Sequence, residues 1–125
     1  MEKRRLDNFN IVLLGIIFDP KNKKILIGKR VKDPYISKLS WSFPGGRLND
    51  GEDIEKALKA RIKEKTNLRV ENLGSVFAKT YPEKNSFLSI YYLCEVLDGK
   101  VKPGKGFKEL KWVKPEELEK RFTTS

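Results

Sequence analysis

From Ile11 to Phe18 the chain reads Ile-Val-Leu-Leu-Gly-Ile-Ile-Phe, apolar at odd and even positions alike. A strand with one wet face alternates, so an unalternating run must be covered on both faces. It is also too short to span a bilayer, which takes about 20 residues in a helix. The stretch is therefore an interior strand, and the fold around it is layered, with cover on each side of a sheet. Arg4 and Arg5 precede it as in a secretion signal. However, Asp7, Asn8 and Asn10 intervene, and Asp19-Pro20-Lys21 stands where a small-residue cleavage site belongs. No membrane partner is expected.

The remaining elements follow from breaks in the pattern. Asp19-Pro20-Lys21-Asn22 separates the first strand from a second apolar stretch, Lys24 to Lys29, which makes a hairpin. Val31 to Asn49 contains Pro34, Pro44, Gly45 and Gly46 and reads mostly as loop, with a short strand around Trp41 to Phe43. Glu52 to Thr66 has helical periodicity, with Asp50 placed as N-cap and Asp53 three residues on as in a capping box. Leu68 to Tyr81 reads as one or two strands. Phe87 to Val96 is apolar on both faces and so reads as a central strand. Glu109 to Val113 is a short strand, and Pro115 opens a terminal helix from Glu116 onward. At 125 residues this amounts to one α/β domain, residues 1–125, with a mixed sheet.

Absences exclude several chemistries. The chain has no His, which removes His-based triads and mixed Cys and His zinc sites. Its single cysteine, Cys94, forms no internal disulfide and falls on a core strand, so the expected compartment is the reducing cytoplasm. The net charge of +10 favours anionic partners, such as a nucleotide or other phosphate-bearing ligand, or RNA. Tyr81, Tyr91, Tyr92 and Phe77 are aromatics able to stack a base, although core packing is the ordinary role of such residues in strands.

The helix carries the strongest signal. With Ile54 at 0° and a step of 100° per residue, Ala57, Leu58 and Ile62 mark the apolar arc, and Arg61 at about 340° and Lys65 at about 20° fall inside it. Glu64, at about 280°, lies on the edge. All three charges are thus expected to face inward, and the turn Phe43-Pro44-Gly45-Gly46-Arg47 brings close-approaching backbone to the start of a helix, where anions are favoured.

The stretch from Trp41 through Gly46, Glu52, Ile62, Glu64 and Leu68 resembles the box of the Nudix family. That box reads Gly, five residues, Glu, seven residues, then Arg-Glu-U-x-Glu-Glu-x-Gly-U, with U a bulky aliphatic. Ile25 to Arg30 is similar to the strand and basic residue before the box. Leu110 to Val113 with Pro115 to Leu118 is similar to the closing strand and helix, so the resemblance covers nearly the whole chain. It implies a Nudix α/β/α sandwich with a mixed β-sheet. It also implies cleavage of a nucleoside diphosphate derivative by water activated with Mg²⁺ or Mn²⁺ on the box glutamates.

In this chain the box positions for Arg, Glu, Glu and Gly hold Ala60, Arg61, Lys65 and Asn67. Asn67 suits a left-handed helix C-cap as Gly does. Arg61 and Lys65 change the helix triad from a formal −3 to +1, counting Glu64 as the remaining carboxylate. At roughly 5 Å each cation repels a divalent ion by several kcal/mol even at an effective dielectric of about 20. Three readings follow. In the first, Arg61 and Lys65 bind phosphate directly, with Arg30, Gly45, Gly46 and Arg47 completing the groove and hydrolysis largely lost. In the second, a divalent ion is still held by an unusual shell of Glu52, Glu64 and Glu109, and the chain is an active hydrolase. In the third, the fold is an RNA- or protein-binding module. The structural alternative to phosphate binding is a salt-bridge network of Arg61, Glu64, Lys65 and Glu52 that plugs the groove.

Overall fold

The computed structural model describes residues 8–31, 41–81 and 86–122. Arg4, Arg5, Asp7 and Pro34, used above, lie outside them. In chain order the strands are β1 (Asn10–Asp19), β2 (Lys24–Arg30), β3 (Trp41–Ser42) and β4 (Gly45–Arg47), then helix α1 (Ile54–Thr66), then β5 (Arg69–Thr80), β6 (Phe87–Asp98) and β7 (Phe107–Val113). A 3₁₀ turn at Pro115–Glu117 leads into α2 (Leu118–Phe122).

β1 is interior, as its unalternating sequence requires. Along one edge it runs parallel to β6, with Leu13 beside Ile90 and Ile17 beside Cys94. Along the other it pairs antiparallel with β2, where Ile17 faces Leu26, and with β4, where Leu14 faces Gly45. The main path is β3-β2-β1-β6-β5, with β7 paired to β2, so the sheet is mixed. β6 lies between β1 and β5, which is the central position expected of it.

Helix α1 covers one face. Ala57, Leu58 and Ile62 are buried against Leu13, Ile17, Leu26, Leu68, Val70, Tyr92 and Cys94. Each fully buried aliphatic side chain contributes about 2 kcal/mol from area removed from water. The helix comes close at Gly15, where a Cβ would stand 2.7 Å from Ile62 Cδ1. The opposite face carries an aromatic chain. Tyr91, one residue out of phase with the α1-facing Tyr92, meets Phe43 edge-on at 6.0 Å, and Phe43 meets Phe122 of α2 at 5.0 Å. These layers form the expected α/β/α arrangement.

Three local expectations are corrected. Gly45–Arg47 is strand, not loop, because β1 needs a partner on that edge and backbone pairing overrides the low strand propensity of glycine. The helix begins at Ile54 and its N-cap is Asp53, whose carboxylate accepts from Lys56 N–H at 3.0 Å; Asp50 sits earlier in the turn. Ile54, taken as the centre of the apolar arc, is 40% exposed in the first turn, and burial begins at Ala57. The other end follows expectation: Asn67 is left-handed at φ 66°, and its N–H donates to Lys63 O at 2.8 Å.

Replacing Asp53 by Ala is expected to cost about 1 kcal/mol, the usual value of an N-cap side chain, and Asp50→Ala to cost little. Chemical denaturation midpoints of the two variants check the assignment, and a larger loss for Asp50→Ala would reverse it.

Candidate functional site

The inward side of α1 meets β4 at Gly46. A Cβ on Gly46 would stand 3.0 Å from Arg61 Cδ, so the stem of Arg61 lies across the glycine. Its head group is then committed to the loop before the helix. Nη2 donates to Glu52 Oε1 at 2.7 Å and Oε2 at 2.9 Å, and Nε donates to the Arg47 carbonyl at 3.2 Å. The Arg61 side chain is 17% exposed and that of Glu52 is 31% exposed. Glu52 also accepts from the Asn49 N–H at 2.8 Å. That backbone bond, followed by the Arg61 guanidinium, holds its carboxyl below the ordinary glutamate value of 4.5.

The two other residues of the turn are also engaged. Gly45 is paired to Leu14 within the sheet, and the Arg47 guanidinium donates to the Asn10 side-chain oxygen at the start of β1. Asn10 and Asn49 were not singled out in the sequence. Neither has a motif signal, since one acts through a long-range side-chain contact and the other through its backbone.

Lys65 stands one turn beyond Arg61 and is half-buried. Its Nζ lies 3.3 Å from the position a Cβ would take on Gly106. The Gly106 carbonyl accepts from Val31 N–H at 3.0 Å, immediately after Arg30, which is exposed and opposite Phe107 in the β2–β7 register. Lys65 and Arg30 therefore flank one turn, and among the described residues neither forms an ion pair. Gly106 was overlooked as a site element; its only trace in the sequence is the turn-rich Pro103-Gly104-Lys105-Gly106.

The carboxylates are dispersed. Glu64 is exposed on the outer side of α1, and Glu109 is exposed on β7 opposite Lys29. Among the described residues no three His, Cys, Asp or Glu side chains come together. Of the alternative salt-bridge network of Arg61, Glu64, Lys65 and Glu52, the structure shows the Arg61–Glu52 arm, with Glu64 exposed and Lys65 beside Gly106. The candidate stacking aromatics divide. Tyr92 is in the core under α1, whereas Phe77 stacks on Tyr91 at 4.2 Å on the other face of the sheet, away from Arg61 and Lys65. Cys94 is fully buried and its thiol is pushed up to about 12, which makes it inert packing.

Comparison with known proteins points one way. The family profile described as the NUDIX domain matches residues 9–125. An ADP-ribose pyrophosphatase from Methanocaldococcus jannaschii is 32% identical over 118 residues, covering 87% of this chain and 68% of the relative. An 8-oxo-dGTP diphosphatase from Proteus vulgaris is 29% identical, covering 76% of this chain and 81% of that protein. Among solved structures, a NUDIX hydrolase from Nitrosomonas europaea superposes with a TM-score of 0.77 at 21% identity, covering 97% of this chain, which spans 66% of that one. A MutT protein from Methanosarcina mazei Go1 gives 0.74 at 18% identity, covering 98% of this chain and 88% of that one.

The pH dependence of stability tests the Arg61–Glu52 contact. A glutamate with a depressed folded-state pKa contributes stability that is full above 4.5 and is lost as pH falls through the folded value. Glu52→Gln is therefore expected to lower the melting temperature at pH 7 and to flatten its decline below pH 4.5. An unchanged acid limb would mean that the contact contributes nothing.

Proposed function

The chain belongs to the Nudix family, and on that basis we propose that it binds a nucleoside-diphosphate-type ligand through fixed cations, with the metal-dependent hydrolytic site of the family largely lost. The observation that carries this reading is the Arg61 guanidinium lying on Glu52. A hard divalent ion needs several oxygen ligands, and a cation already seated on one of them opposes it by Coulomb repulsion. Glu52 already has a guanidinium on both of its oxygens, Glu64 faces outward, and the described residues offer no acidic cluster. These residues do not fit the metal shell implied by the family, so no hydrolytic step is derived through one.

The same side chains fit an anion. Lys65 presents an ammonium without a carboxylate partner among the described residues, and Arg30 stands across the Gly106 turn from it. Lysine acts on phosphate as a point charge, and an exposed arginine adds a bidentate donor. Arg61 has three of its five N–H donors tied to protein oxygens and holds the wall, so the phosphate site centres on Lys65 and Arg30, with the exposed Arg47, bonded once to Asn10, at its rim. Relatives named as acting on ADP-ribose and 8-oxo-dGTP indicate the ligand class, a nucleotide with linked phosphates.

The test is thermal stability with ADP-ribose or a nucleoside triphosphate, each in Mg²⁺ and in EDTA. Ligand at one hundred times its Kd adds about 2.7 kcal/mol to stability. The expected shift persists in EDTA and disappears in Lys65→Ala. A shift that requires Mg²⁺, accompanied by phosphate release, would instead make the chain a working hydrolase. In the double variant Arg61→Glu with Lys65→Glu, Mn²⁺ alone is expected to raise the melting temperature, whereas it leaves the wild type unchanged.

A further inference from the structure

The segment from Gly99 to Gly106 is laid against the last turn of α1 by three bonds. Lys102 N–H donates to Thr66 O at 3.0 Å, Gly104 N–H donates to Lys65 O at 2.8 Å, and Asn67 Nδ2 donates to Lys100 O at 2.9 Å. This brings the backbone of Lys100, Lys102 and Lys105 against the helix end that carries Lys65, and β7 opens at Phe107 with Lys108 next. All but Lys65 are exposed, and among the described residues none of these five lysines forms an ion pair. The carboxylates at this end are Glu64, a single exposed acid, and Asp98, which is already bonded to Arg69.

The carbonyl end of a helix normally offsets nearby cations. Here the Lys65 and Thr66 carbonyls are occupied by loop N–H groups, and the lysines extend beyond them along the loop. The result is a stripe of like charge that begins at Lys65 and Gly106, where the proposed phosphate site lies, and runs outward. Its partner is therefore a polyanion entering that site by one end. Val31, whose N–H donates to the Gly106 carbonyl, is exposed beside this loop, but one valine offers too little apolar surface to seat the stripe on a membrane.

We propose that this stripe binds the phosphodiester backbone of a single-stranded nucleic acid whose terminal phosphate occupies the Lys65 site. The inference rests on the phosphate-binding reading of Lys65 and enlarges its ligand from a nucleotide to a strand end. The contacts are to backbone, so RNA and DNA of one sequence bind alike and sequence is not read.

The experiment measures fluorescence anisotropy of a 5′-phosphorylated oligonucleotide of about 12 nucleotides, as RNA and as DNA, in EDTA over a series of salt concentrations. Log affinity is expected to fall linearly with log salt, with a slope of about −0.7 for each phosphate contacted and so about −3 for four contacts. The triple variant Lys100→Glu, Lys102→Glu, Lys105→Glu is expected to weaken oligonucleotide binding more than tenfold and to flatten that slope. ADP-ribose binding in EDTA and the melting temperature should be retained; the corresponding Gln triple variant provides the same readout should charge reversal impair folding. Lys65→Ala lowers both affinities. Three results overturn the proposal: an oligonucleotide that binds no more tightly than ADP-ribose, an unaffected triple variant, or displacement of the oligonucleotide by vesicles of anionic lipid. Loss of ADP-ribose binding alone, with oligonucleotide binding intact and sensitive to the triple variant, would remove the nucleotide site and leave the stripe.

Discussion

Everything in this molecule is arranged around a strand that cannot be left wet on any side. β1 needs hydrogen-bond partners along both edges and apolar cover on both faces. β6 supplies one edge in parallel. The other edge is shared end to end by β2 and β4. Because β4 completes that edge, Gly45 and Gly46 are drawn into the sheet, and the helix that follows must cross over them to cover the face. The meeting of Arg61 with Gly46 is a consequence of that closure, since only a residue without a side chain leaves space for the arginine stem.

Once Arg61 faces inward, its charge dictates the rest of the loop. A guanidinium that is 17% exposed requires acceptors, and it takes three oxygens, two from Glu52 and one from the Arg47 carbonyl. Glu52 is held from its other side by Asn49 N–H. The loop between β4 and α1 is thus closed by a cation built into the chain, at the place where the family resemblance implies a mobile one. A built-in cation has no dissociation constant, and the loop it organises owes nothing to metal concentration.

The large features of this arrangement were legible because they depend on periods. An unalternating run gave an interior strand, and a 100° step placed Arg61 and Lys65 on the covered side of α1, where both are half-buried. What failed depends on contacts between distant residues. Asp50 and Asp53 are equally good caps by type; the choice falls to Asp53 because Gly51, at φ 82°, turns the chain so that Glu52 folds back onto Asn49. β4 was hidden because Gly-Gly has little strand propensity and forms a strand only under the demand of β1. Glu64, expected to face inward with the two cations, is exposed, since a residue at the edge of the arc is free to reach water.

The exchange of carboxylates for cations alters more than metal affinity. Fixed ammonium and guanidinium groups attract the phosphates of a bound ligand about as strongly before a reaction as at its transition state, and such uniform binding lowers a dissociation constant without lowering a barrier. Phosphoryl cleavage also needs a nucleophile generated at neutral pH, which a divalent ion or a poised base would provide. Glu52, the carboxylate at this loop, already accepts from Arg61 on both of its oxygens. Under the proposed reading, charge inversion in this helix favours retention over turnover. On that reading, the side chains left in the groove hold phosphate and do not activate water against it.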